Sequence, residues 1–387
     1  MQRKLLLTAE PAHVLFTMRI DEKASGDAGR PPARGPSSPN SLLVAAGRNF
    51  VSVWPIDRAP KVLSQEPHSA MRADGTVTAG ALWPLIGDSF VLAKVEGSLV
   101  VAVFDRSTCS LRAERKYSIP FNASALRTMP IPDDDLRARL VVGTLDGTVH
   151  LFESTLAGEL KMVWEHQLTS SVTSLATLPA LPALVVAGLE SGAFEVLAVP
   201  KQGVVTHETR DADERNVRDS ALVPSEFGHG LPISSVGYSG KAIVAEASVM
   251  EPTSFAVTML DGRIAVCEVT AGLGGEMAWK RRWALQTNGA LFALAALGPN
   301  AWATCGMDGI GRVYGQRGDV LAQIDVAAAT KAPIVAFTAG NVPGHDEEQL
   351  EPFLAFGCAD GQVLVYTGRS ALPDEGTRAY DRPNTRE

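Results

Sequence analysis

The chain has 387 residues, 45% hydrophobic and 20% charged, with a formal net charge of −8 at pH 7. That is ample for a large core, and the acidic balance argues against a phosphate-backbone binder, which would be basic. No run reaches the ~18 apolar residues of a membrane span, and MQRKLLLTAEPAH has too short a leucine run for a signal peptide, so a cytoplasmic or nuclear location is expected.

In chain order, RKLLLTA at 3–9 and HVLFTMRI at 13–20 read as the first strands. DEKASGDAGRPPARGPSSPN at 21–40 is rich in Pro, Gly, Ser and Arg and reads as a flexible loop. A single unit then recurs: an apolar run, a small residue, a turn, and a second run alternating with period two. Its copies are LLVAAGRNFVSVWPI (42–56), FVLAKVEGSLVVAVF (90–104), LVVGTLDGTVHLF (140–152), LVVAGLESGAFEVLAV (184–199), FAVTMLDGRIAVCEV (255–269), WATCGMDGIGRVY (302–314) and FLAFGCADGQVLVY (353–366).

The second turn residues are Asn49, Gly97, Gly147, Gly192, Gly262, Gly309 and Gly361, spaced by 48, 50, 45, 70, 47 and 52. Apart from one long interval, this is the roughly 40–50 residue period of propeller blades. Asp-Gly and Asn-containing turns tolerate the positive φ that two-residue hairpins require. Asp146, Asp261, Asp308 and Asp360 are therefore the expected structural turn residues.

Small-residue-rich segments precede three hairpins: SVTSLATL (171–178), ALFALAALG (290–298) and APIVAFTAG (332–340). They suit inner strands, where blades converge. More polar segments follow three others: RAERKYSI (112–119), ELKMVWEHQL (159–168) and EMAWKRRWAL (276–285). They suit outer edges, where charge discourages pairing with other chains. The last hairpin is followed only by a turn-rich polar stretch, so strand 3–9 is expected to complete the last blade. The fold expected is all-β: a seven-bladed β-propeller with four-stranded antiparallel blades, closed by the N-terminal strand. It spans 1–368 with insertions at 21–40, 201–230 and 341–352, followed by a disordered tail at 369–387.

These units resemble the WD40-like β-propellers over nearly the whole chain. The four turn aspartates match the family's turn Asp, and Trp54, Phe104, Phe152, Tyr314 and Tyr366 match the position of its Trp. No copy carries the Trp-Asp dipeptide or a Gly-His pair at the expected offset, so the family's His–Ser/Thr–Asp–Trp network is expected to be absent or vestigial. GTVHLFESTLAGELKMVW at 147–164 resembles once the spacing of quinone-enzyme-like repeats and their envelope-assembly relatives.

Phosphate-binding, zinc-protease and serine-nucleophile motifs are missing from the sequence. Cys109, Cys267, Cys305 and Cys358 form no close ligand pair and read as free thiols in a reducing compartment. Asp133, Asp134 and Asp135 lack EF-hand spacing and read as a solvated turn. His207 and His229 share an insert without fixed geometry. In Trp279-Lys280-Arg281-Arg282-Trp283, strict alternation places Trp279, Arg281 and Trp283 on one face, as packing for an outer strand or as an aromatic–cation binding stripe.

Loops on a rigid scaffold carry binding residues. The charged insert at 201–230 offers Arg210, Asp211, Asp213, Glu214, Arg215 and Arg218 as candidate protein-interaction residues. The resemblance implies a non-catalytic protein–protein interaction scaffold, a subunit of a larger intracellular complex of eukaryotic type, monomeric within it. Partners are other proteins rather than nucleic acid, and no cofactor or metal is expected. The alternatives are a small-molecule or metal-dependent enzyme using the central channel and a quinone-enzyme-like envelope propeller.

Overall fold

The computed structural model describes residues 2–8, 10–19, 41–56, 67–86, 88–131, 137–155, 157–178, 184–199, 254–271, 277–287, 289–298, 301–315, 317–343 and 350–367. Among these every regular element is a β-strand, and the strands fall into six antiparallel sheets. The first holds β2 (Ala12–Arg19), β3 (Ser41–Pro55), β4 (Ser69–Trp83), β5 (Ser89–Lys94), β6 (Ser98–Asp105) and β7 (Ser110–Ser118) in that order. Next come β8 (Ala123–Pro130), β9 (Arg137–Thr144), β10 (Thr148–Thr155) and β11 (Leu160–Gln167). Two three-stranded sheets follow: β12 (Val172–Thr177), β13 (Leu184–Leu189) and β14 (Phe194–Ala198), then β15 (Ser254–Thr258), β16 (Arg263–Ala271) and β17 (Met277–Gln286). β18 (Leu291–Gly298), β19 (Ala301–Gly306), β20 (Ile310–Gly315) and β21 (Val320–Asp325) form the fifth sheet. The last joins β22 (Ile334–Pro343), β23 (Leu350–Cys358) and β24 (Gln362–Thr367) to β1 (Gln2–Leu7).

The six-stranded sheet has two internal breaks. β3 turns back at Arg48-Asn49: Asn49 has φ 74, and the Ile56 N–H donates to the Ser41 carbonyl at 2.8 Å. Its first half pairs with β2 and its second with β4. β4 in turn breaks at Asp74-Gly75, φ 50 and 136: Ser69 to Arg72 pair with β3, as Thr76 does with Arg48, and from Val77 on the strand pairs with β5. The sequence reading identified the hairpin at 42–56 but did not name β4. It also ended the inner strand of the last sheet at residue 340. Pairing instead continues to Val342↔Glu351 and Pro343↔Leu350, leaving only 344–349 of the 341–352 insertion outside the described residues.

Burial explains why the second strands read as continuous apolar runs. β5, β13 and β19 are buried along their whole length, whereas the edge strands β7, β11 and β21 are mostly exposed or half-buried. A strand covered on both faces loses its period-two pattern. Each sheet is covered by its neighbours. Leu42, Val44, Phe90 and Phe104 form one core between β2–β3 and β5–β6, and Leu43, Trp54, Phe353 and Val365 form another between β3 and β23–β24. The inner strands follow one another in contact as β18, β22, β2, β4, β8 and β12.

The inner strands share a further feature. In six of them the register slips after the first paired residue, skipping His13, Thr78, Ser124, Thr173, Phe292 and Val335. Such a bulge re-aims the extra side chain. The Thr78 hydroxyl reaches the Ala123 carbonyl of the next inner strand at 2.8 Å, and the Ser124 hydroxyl reaches Val172 at 2.6 Å. Thr173 repeats the within-sheet half of this contact, donating to Gly188 at 3.0 Å as Ser124 does to Gly143 at 3.1 Å. These links join the starts of neighbouring inner strands, so those ends lie on one side of the molecule.

A candidate interaction face on the hairpin turns

The hairpin turns stand at that same end. In each of four turns the Asp carboxylate accepts the N–H two residues on: Thr148 to Asp146 at 3.1 Å, Arg263 to Asp261 at 3.1 Å, Ile310 to Asp308 at 3.0 Å and Gln362 to Asp360 at 3.1 Å. This closes an Asx turn. The glycine that follows has positive φ, 88° at Gly147 and 74° at Gly309, a region that favours glycine.

Five turns are bonded to the connection that leads into the next inner strand. The N–H groups of Thr8, Ile119, Leu168, Thr287 and Val326 donate to the carbonyls of Gly361, Gly97, Gly147, Gly262 and Gly309 at 2.8–3.0 Å. Gln167 and Gln286 brace two turns through the carbonyls of Asp146 and Asp261, at 2.9 and 2.7 Å. The turns therefore form one fixed surface.

Two properties characterise this face. Its described connections carry Glu10, Asp74, Glu96, Asp146, Glu190, Asp261, Asp308 and Asp360 against Arg48 and Lys331. The residue before the turn acid is also apolar and outward in several turns: Val95 is 48% exposed, Leu145 61% and Met307 67%. These are half of the large exposed apolar side chains among the described residues.

The turn carboxylates differ in how their charge is met. Arg263 pairs with Asp261, and Arg312 Nη2 donates to Asp308 Oδ2 at 2.6 Å. Lys94, itself buried, pairs with Glu96 at 3.0 Å. Asp146 has hydroxyl and amide donors instead, from Thr144 and Thr148. The Thr144 hydroxyl foremost, with the Thr148 N–H, holds the Asp146 carboxyl below its ordinary value. Beneath it, burial pushes the His150 imidazole down, opposed by the nearby Glu165 and Asp146.

The aromatic residues expected to close the third strands, Trp54, Phe104, Phe152, Tyr314 and Tyr366, are buried. Cys267, Cys305 and Cys358 are buried free thiols, and burial raises Cys358 to about 11. Cys109 is free and half-buried. Arg210, Asp211, Asp213, Glu214, Arg215 and Arg218 lie outside the described residues, as do His207, His229 and Asp133 to Asp135. The expected alternation in 279–283 is interrupted: Cys267 pairs with Arg281 but Val266 with Trp283, so the register slips past Arg282. A bulge puts two residues opposite one, and strict period two does not survive it.

The sequence reading missed the bulge hydroxyls and the apolar residue before each turn acid. Both had a signal: VEG, LDG, LDG, MDG and ADG at equivalent positions, and Thr or Ser second in an inner strand.

No protein-family model matches the chain, and no curated protein matches it. Among solved structures it is similar to Sqt1 of Saccharomyces cerevisiae, a WD40 propeller protein, with a TM-score of 0.55 and 15% identity over 84% of this chain and 81% of that one. The likeness shows the fold, a WD40-like β-propeller of antiparallel sheets.

Proposed function

We propose that this chain is a non-catalytic protein–protein interaction scaffold, a subunit of a larger intracellular complex and monomeric within it. One observation carries the reading: large exposed apolar side chains concentrate at one repeated turn position on an acidic face. Apolar surface that recurs on a rigid frame is a mark of interaction sites. The described inner strands offer little for catalysis at a channel: their titratable side chains are His13, Arg19 and Arg127. Among the described residues no helix is long and apolar enough to cross a membrane. The charged residues Arg210 to Arg218 are proposed as a second contact of the same scaffold.

We further propose that the frame is a ring of seven four-stranded blades closed by the N-terminal strand. The antiparallel register from Gln2↔Thr367 to Leu7↔Gln362 supports closure, as does the core that Leu6 shares with Trp54 and Phe353. Halved at their breaks, β3 and β4 supply two blades of four. The two sheets with three strands flank residues 200–253. Deleting residues 1–9 is expected to lower the melting temperature sharply, and an unchanged value would overturn closure.

The scaffold reading is tested by affinity purification of the tagged protein from its native cells at low salt, with stoichiometry by mass spectrometry. Near-equimolar partners are expected. Recovery of the protein alone would overturn it.

A further inference from the structure

We propose that the seam between the β5–β6 turn and the β9–β10 turn docks a protein segment in which a lysine or arginine sits beside a large apolar side chain. The inference rests on the scaffold reading and names the chemistry of one of its partners.

Three observations meet at this seam. The first is apolar surface held on both sides. Val95 and Leu145 are outward in turns of neighbouring sheets, and the connection between β7 and β8 is bonded to the first of these turns, the Ile119 N–H donating to the Gly97 carbonyl. That connection places the Phe121 carbonyl against the turn at Gly97, while the Phe121 ring stacks on His150 with centroids 3.9 Å apart and planes within 1°. The second is charge. Asp261 and Asp308 are each paired with an arginine, but Asp146 has no cationic partner among the described residues. The third is an unmet polar atom: His150 is 6% exposed, its Nδ1 has no hydrogen-bond partner among the described residues, and a Glu165 carboxylate oxygen is 3.8 Å away.

The other turns each lack one element. Met307 is more exposed than Leu145, yet its neighbour Asp308 is already neutralised by Arg312. Asp360 has no arginine among the described residues, but the residue before it is Ala359. Leu260 is only partly exposed. Leu145-Asp146 alone among these turns combines a large exposed apolar side chain with an uncompensated carboxylate. A ligand that covers the leucine removes water from the carboxylate, and a buried carboxylate demands a cation. An apolar group next to a basic one answers both demands, and an acidic segment is repelled.

The test is fluorescence anisotropy with a short labelled peptide of alternating lysine and leucine, against its counterpart of glutamate and leucine. The proteins are wild type, Leu145→Ser, Asp146→Asn and Met307→Ser. Asp146→Asn keeps the Oδ1 acceptor of the turn and removes only the charge. Leu145→Ser removes only apolar surface, so it separates docking from general attraction to an acidic protein. Matching melting curves verify that each variant is folded. The lysine–leucine peptide is expected to bind wild type and Met307→Ser alike, and about tenfold more weakly to Leu145→Ser and to Asp146→Asn. Equal binding by all four proteins overturns the proposal, as does an equal loss in Met307→Ser or equal binding of the glutamate peptide. If Leu145→Ser retains every native partner found by affinity purification, this site falls and the scaffold reading stands. If wild type has no native partner, the scaffold reading falls, and the titration still decides the site.

Discussion

The sheets β8–β11 and β18–β21 are built on one plan and reach opposite electrostatics. In both, a turn of apolar residue, Asp and Gly leads into the third strand, and the fourth residue after the Asp is titratable: His150 in one, Arg312 in the other. Their partners across the pair are equivalent, Val142 and Thr304, and so are the aromatic positions two residues on, Phe152 opposite Leu140 and Tyr314 opposite Trp302. Arg312 folds back on Asp308 and neutralises it. His150 lies under Phe121 and leaves Asp146 without a cation. The connections before the two inner strands differ at the same place. Gly289 occupies the place of Phe121, and a Cβ there would stand 3.5 Å from Asp308 Oδ2. One backbone frame thus presents a neutral turn and a charged one, and the choice is made by two side chains rather than by the fold.

The largest effects should come from the aromatic positions, which separate the two sheets by packing. Trp302 is fully buried and stacks on Tyr314 with centroids 4.5 Å apart. Trp302→Ala is expected to cost about 4 kcal/mol, and Leu140→Ala, its equivalent, about 3 kcal/mol. Urea unfolding of both variants checks this. If Leu140→Ala is the more costly, the stacked pair is not the stronger anchor.

Next in size is the direct comparison of the two titratable positions. Arg312→Met leaves the Asp308 carboxylate, 28% exposed, without its cation and should cost about 2 kcal/mol. His150→Leu removes a buried nitrogen that has no hydrogen-bond partner among the described residues, so loss of ring packing is offset by relief of that atom. Its expected change is under about 1 kcal/mol in either direction. Equal, large losses in both variants would mean that His150 is held by a bond the geometry lacks.

The repeated turns were legible in the sequence because they are local: Asp-Gly at a fixed offset dictates its own backbone, and alternation names the strand after it. The inner and outer strands followed from composition, since small side chains are needed where sheets converge and charge belongs at edges. What escaped was everything decided by a residue in another unit. β4 was invisible because one strand pairs with β3 on one side of a break and with β5 on the other, so its pattern changes midway at Asp74-Gly75. The bulge at Arg282 breaks an alternation that sequence reading must assume. The candidate face was missed for a related reason. Leu145 reads as a strand residue until the turn lifts it outward, and Asp146 reads like Asp308 until Phe121 and Gly289, far apart in the chain, are seen in equivalent places. Composition makes the dense charges at 210–218 conspicuous but does not mark single apolar residues at repeated positions.

The smallest predicted effect separates the two sheets by pH. Burial lowers the His150 pKa below its ordinary 6.5, whereas Arg312 stays charged throughout. Between 6.5 and the lower folded-state value, the unfolded chain binds a proton at His150 that the native chain refuses. Stability therefore rises with pH in that window and is lost as pH falls through it. His13 and His166 are lowered by burial too and contribute with the same sign. Asp146 acts lower on the scale: its depressed value adds stability above 3.8 that disappears as pH falls through the folded-state value. Thermal unfolding followed from neutral pH downward should thus show a decline beginning near 6.5, and His150→Leu should make that decline shallower without changing the plateau slope. Arg312→Met should lower the whole curve and leave its shape in this window intact. A wild-type curve that is flat from 7 to 5, or one that His150→Leu leaves unaltered, would show that the imidazole is as free to take a proton in the folded chain as in the unfolded one.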